Sequence, residues 1–195
     1  EPSDFKVGGF NFDRPSGWKW VVPSSSMRKA QLAVSSPDGG TADVTFFHFG
    51  PGQGGGVQAN VDRWFAQFGN SNTSQSEEKV DVTRVVHVRA RGTFQSGMPG
   101  GPTTPLENYA LLGAILGDDQ NGDVFVKMTG PAAVVESAEP LFSARMLAGS
   151  LGLGLSVLVA VAWYVLIIVA VGLILPGGRQ TASGLATADA ATLAW

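Results

Sequence analysis

From Glu1 to about residue 145 the chain alternates short apolar runs with Gly, Pro, Asn and Asp, a rhythm that predicts strands and turns interrupted by two helices. FNFDRPSGWKWVV (10–22) reads as a strand, a turn on Pro15 and Gly17, and a second strand around Trp18 to Val22. MRKAQLAVSS (27–36) alternates as a strand, PDGG (37–40) turns it, and DVTFFHF (43–49) is apolar on both faces, so it belongs at the centre of a sheet. Val57, Val61, Trp64, Phe65 and Phe68 fall at i, i+4, i+7, i+8 and i+11, the best amphipathic helix of the domain. GNSNTSQSEE (69–78) is predicted to be a polar loop, and KVDVTRVVHVRARGTFQ (79–95) one bent strand or two short ones. SGMPGGPTTPLE (96–107) is expected to be a long surface loop. YALLGAILG and DVFVKMTG flank DDQNG (118–122), whose Asn121-Gly122 step suits a tight hairpin. Pro131 suits the first turn of a helix through AAVVESAE, and Pro140 should kink it or restart it as LFSARMLAGS. The predicted class is α+β, an antiparallel sheet with packed helices.

The pattern then changes. Met146 to Gly178 contains no charged residue, and fourteen of the twenty-one residues of LSVLVAVAWYVLIIVAVGLIL (155–175) are Val, Leu or Ile. A helix of about 25 residues spans about 38 Å, more than the roughly 30 Å of a bilayer's hydrocarbon. Those fourteen side chains favour insertion by about 4 to 8 kcal/mol. One C-terminal transmembrane α-helix is therefore expected, giving three parts: a domain over 1–145, a span with its flanks over 146–178, and a short tail over 179–195. Gly152, Ser156 and Ala160 recur every four residues, a stripe that lets another helix approach closely. Trp163 and Tyr164 sit mid-span, where their polar groups want a neighbour and not a headgroup layer. The span has no His or carboxylate, so it is expected to contact pigment, if at all, without ligating it.

Of the 13 Lys and Arg and 16 Asp and Glu, only Arg179 and Asp189 lie beyond residue 145, and the net charge is -3. No broad basic field exists, so nucleic acid is not an expected partner. The absence of cysteine removes disulfides and thiol nucleophiles from this sequence, and a lipoprotein anchor is not expected. The chain starts at Glu1, for which a removed signal peptide is one explanation; on that reading the domain is extracytoplasmic, the tail cytoplasmic and the location a bacterial inner membrane.

Candidate chemistry is sparse. GPGQGGG (50–56) contains G-x-G-x-x-G at Gly50, Gly52 and Gly55, but Pro51 removes a donor and no prompt parallel strand follows, so it reads as a flexible connection to the helix at Val57. DDQNGD lacks the spaced ligands of a calcium loop. His48 and His87 have no partner at ligand spacing, so no metal or cofactor is expected. His87, Arg89 and Arg91 share one strand face, either solvated or set toward an anionic partner or lipid headgroups.

GFNFDRPSGWKWVV, MRKA and ANVDRW together resemble a family of extracytoplasmic bacterial proteins, over residues 8 to about 145. More distantly, the P-x-G-W motif at Pro15 to Trp18 is similar to the opening of the PsbP-like α/β sandwich. That resemblance implies an extrinsic, non-catalytic domain serving a photosynthetic or other membrane assembly. The expected function is an accessory subunit of an energy-transducing membrane complex, partnered by other transmembrane subunits and membrane lipid. The alternative is an anchored binding or carrier domain for a small ligand or lipid.

Overall fold

A computed structural model describes residues 1–37, 39–80, 82–97 and 101–143. The span over 146–178, the tail over 179–195, and Gly152, Ser156, Ala160, Trp163 and Tyr164 lie outside the described residues. Among the described residues no helix is long and apolar enough to cross a membrane.

Eleven elements are described: β1 (Asp4–Val7), β2 (Phe10–Asp13), β3 (Lys19–Trp20), β4 (Arg28–Ser35), β5 (Thr41–His48), α1 (Val57–Phe65), β6 (Phe68–Val80), β7 (Thr83–Gly97), β8 (Thr103–Leu116), β9 (Val124–Pro131) and α2 (Ala132–Leu141). Seven strands form one antiparallel sheet in the order β3-β4-β5-β9-β8-β7-β6. β1 and β2 pair separately as a hairpin. The α+β class and antiparallel sheet expected from the pattern are present.

Side-chain parity divides the sheet. On one face Leu32, Val44, Phe46, Val126, Met128 and Leu112 are buried with Val134, Val135 and Ala138 of α2. The β1–β2 hairpin covers the rest of that face, with Phe5 and Phe12 each about 5 Å, centroid to centroid, from Phe46 (5.0 and 5.1 Å). On the other face Val61 and Trp64 of α1 pack on Val86, Val88, Leu111, Ile115 and Phe125. Antiparallel alternation makes β5 and β6 point the same way with three strands between them, so α1 must cross the sheet to connect them. The residue beneath Trp64 is Gly113, where a Cβ would stand 2.4 Å from the indole.

Four expectations need correction. GNSNTSQSEE is not a loop but most of β6, an edge strand whose backbone pairs with β7 while its side chains meet water. An edge strand of this kind needs no apolar face, so periodicity is silent there. KVDVTRVVHVRARGTFQ is neither one bent strand nor two short ones: Lys79 and Val80 end β6, and from Thr83 the segment belongs to the fifteen-residue β7. The 96–107 segment belongs partly to the sheet, since β8 starts at Thr103 and Gln95 faces Pro105. Pro105 is tolerated because β9 first meets β8 at Tyr109, leaving the start of β8 paired on one side only. Finally, α2 does not restart at Pro140 but runs on to Leu141: the proline removes only the bond its own N–H would make to Glu136 O, and the Phe142 N–H still reaches Ala138 O and Glu139 O. The hairpin ahead of β2, with β1, went unread.

Candidate functional site

The β9 residues Phe125, Lys127 and Thr129 share the parity of the α1 face, but α1 lies over only part of that face. Phe125 is under the helix cluster. Lys127 and Thr129 instead join the β5 residues opposite them, Thr45 and Asp43, on a polar strip of floor. Gln31 of β4, opposite Thr45, extends the strip. A groove of about 510 Å³ stands above it, walled by Gln67 after α1 and by the β7–β8 hairpin through Phe94, Leu106 and Tyr109. The register shift between Gly92 and Phe94 re-aims the chain where the wall begins. There Phe94 stacks on Tyr109, with centroids 5.9 Å apart and planes 8° from parallel.

Lys127 is the charged centre of this floor. Its ammonium donates to Gln67 Oε1 and lies 5.6 Å from the centre of the Phe94 ring. Burial, and secondarily the positive charge of Arg28, push its pKa down from 10.5 to about 8. Part of the side chain still meets the groove. Arg28 Nη1 donates to Gln31 Oε1 at 2.9 Å, and Gln31 Nε2 donates to Asp43 Oδ1 at 3.3 Å. Thr129 Oγ1 is shut off from water and has no hydrogen-bond partner. The signal in the sequence was parity: Asp43 and Thr45 in a central strand, and Lys127 and Thr129 in another, are polar on positions that a fully covered face would make apolar.

The residues singled out by sequence are dispersed. His87, Arg89 and Arg91 do share one face of β7, and each has a carboxylate partner: Glu78 of β6 at 2.8 Å for His87, Glu139 of α2 for Arg89, and Glu136 of α2 at 2.6 Å for Arg91. The two guanidinium charges are spent on tying α2 to β7, and the His87 bond ties β6 to it. His48 ends β5 and donates from Nε2 to the Asn121 carbonyl at 2.8 Å. The Gly50–Gly56 loop is held from beneath by buried Asn60, whose amide donates to Gly54 O at 2.9 Å and Gly56 O at 3.1 Å. Its flanking strands β5 and β6 are not neighbours in the sheet, unlike the adjacent strands of a dinucleotide fold.

In DDQNGD, Asp118 is a turn-former. Its Oδ1 accepts the backbone N–H groups of Asn121 and Gln120 at 2.9 and 3.0 Å, and its Oδ2 accepts the Asn121 amide at 2.8 Å. The Asn121 backbone bond is the main reason its pKa falls below the usual 3.8. Among the described residues no group of three or more His or carboxylates is arranged to hold a metal.

No family profile matches the chain, and no curated protein matches it. Among solved structures, the solution structure of cyanobacterial PsbP (CyanoP) from Synechocystis sp. PCC 6803 is similar over 70% of this chain and 83% of that one, at 12% identity and a TM-score of 0.43. A likeness at that level carries no argument about the groove or its use.

Proposed function

We propose that the chain is a non-catalytic accessory subunit of a multi-subunit, energy-transducing membrane complex, its 1–145 domain extracytoplasmic and its 146–178 segment the anchor. The observation that carries this reading is the uncharged stretch from Leu155 to Leu175, which follows α2 in the chain after a short connection. Bare of ligating and proton-relaying groups, that stretch suits packing, with Gly152, Ser156 and Ala160 as the close-approach stripe and Trp163 and Tyr164 against neighbours. The P-x-G-W resemblance favours a photosynthetic reaction centre and antenna assembly over a respiratory one. Solubilising the native membrane in mild detergent and running a native gel tests it: co-migration with other subunits is expected, and migration as a free 20.3 kDa chain plus detergent overturns it.

One observation favours a second reading, an anchored carrier for a small ligand. The groove above Lys127 falls within the roughly 300–1,000 Å³ range of small-molecule sites, and its mainly polar lining carries one apolar wall of Phe94, Leu106 and Tyr109.

A further inference from the structure

We infer that this groove binds one small organic carboxylate with a flat apolar body, the anion at Lys127 and the body along Phe94 and Tyr109. The inference deepens the carrier reading and does not depend on the membrane assembly.

Charge sets the sign of the ligand. The floor and its margin hold two cations, Arg28 and Lys127, against one carboxylate, Asp43, with Tyr109 as the other titratable group on the wall. Neither cation forms an ion pair among the described residues, whereas Arg84, Arg89 and Arg91 each rest on a glutamate. Asp43 is already an acceptor for Gln31. Among the described residues the acceptor for Lys127 is the neutral amide oxygen of Gln67. An ammonium held in a recess with no counter-charge is a site that an anion completes, because the partial removal of water strengthens the pairing.

The hydrogen-bonding inventory narrows the anion. Besides the ammonium, Thr129 carries a hydroxyl with no partner, which is covered in the free groove and meets an anion once its side chain turns toward it. A lone ammonium with a hydroxyl matches a monoanionic carboxylate. A phosphate dianion asks for more charge and more donors than one ammonium and one hydroxyl supply, and the nearby guanidinium spends Arg28 Nη1 on Gln31 Oε1 and the Ser24 hydroxyl. The wall selects the body. Phe94 and Tyr109 present two rings in nearly parallel planes, braced by Phe68 at 5.2 Å from Phe94, and Leu106 and Phe47 add apolar rim. A flat ring or short chain can lie on that surface while its carboxylate reaches Lys127.

The test uses the full chain in lipid nanodiscs, with radiolabelled phenylacetate in equilibrium dialysis and empty discs as blank. Phenylacetamide, the neutral isostere, and inorganic phosphate serve as competitors. Expected are one saturable phenylacetate per chain, phenylacetamide at least about tenfold weaker, and phosphate failing to compete. Lys127→Met should weaken phenylacetate by about tenfold or more while Lys127→Arg keeps most of the affinity. Thr129→Val, which changes no charge, should weaken it by about threefold or more, so the inference stays testable if Lys127→Met misfolds. If phenylacetamide binds as tightly, or Lys127→Met binds as well as the parent, the carboxylate assignment is overturned and the carrier reading stands. Phosphate displacing phenylacetate with higher affinity overturns it as well. If neither organic probe binds, the inference and the carrier reading fall together, and the native-gel result is untouched.

Discussion

Gly113 and Lys127 are cross-strand neighbours, and each shows a single position answering to what lies above the sheet. At Gly113 the answer is an absence of atoms, since the indole of Trp64 fills the space. Gly113→Ala should lower stability by about 1 to 3 kcal/mol, read by thermal unfolding, because an aromatic ring packed on a sheet cannot yield 1 Å cheaply. Gly69→Ala, whose Cβ would have an ordinary 3.8 Å neighbour, is the control and should be near neutral. At Lys127 the answer is a proton held less tightly than in water. Its folded pKa of about 8 lies below the usual 10.5, so the unfolded chain binds more protons between those values, and unfolding free energy should rise as pH climbs through that window. The rise is on the order of 2 kcal/mol once solvent access is discounted, and it should vanish in Lys127→Met; urea titrations across pH measure it. Carboxylate affinity runs the opposite way: it needs the charged ammonium and should fall as pH rises above about 8. Asp118 acts at the acid end, where its lowered pKa contributes stability above the unfolded value near 3.8 that is lost as pH falls through the folded one.

Whether an element was legible depended on whether its side chains have an inside. α1 was readable because Val61 and Trp64 are buried on one stripe, and β5 because Val44 and Phe46 face one core while Phe47 and Thr45 face the other side of the sheet. β6 was not, because from Asn72 to Lys79 every side chain is exposed, and backbone bonds with a few surface ion pairs hold it in place of an apolar face. The start of β8 was hidden for the same reason, under a Pro and Gly content that marks loops. The groove was half-legible: its floor could be found by asking why Lys127 and Thr129 interrupt an apolar strand, whereas the Phe94–Tyr109 wall depends on a register shift that no residue pattern announces. The polar character of β6 also protects the sheet's long open edge from pairing with another chain. Ser74→Val with Ser76→Val should leave secondary structure intact but bring on concentration-dependent association, measured by light scattering of the purified protein.

At the scale of the whole domain, the sheet is two local arrangements joined along one seam. β3, β4 and β5 are chain neighbours, as are β6, β7, β8 and β9, and only the β5–β9 ladder connects the two sets within the sheet. Across that seam Thr45 donates to the carbonyl of Lys127, 82 positions away in the chain. Local hairpins close in microseconds, while a pairing this distant waits for loop closure and for α1 to be laid across the sheet. The floor of the groove straddles that seam, with Thr45 and Asp43 on one side and Lys127 and Thr129 on the other. The pocket therefore has no precursor in either half and comes into being only at the final, slowest step of folding, so an occupant would act as a latch on the finished chain, slowing its unfolding and leaving the rate of its folding unchanged.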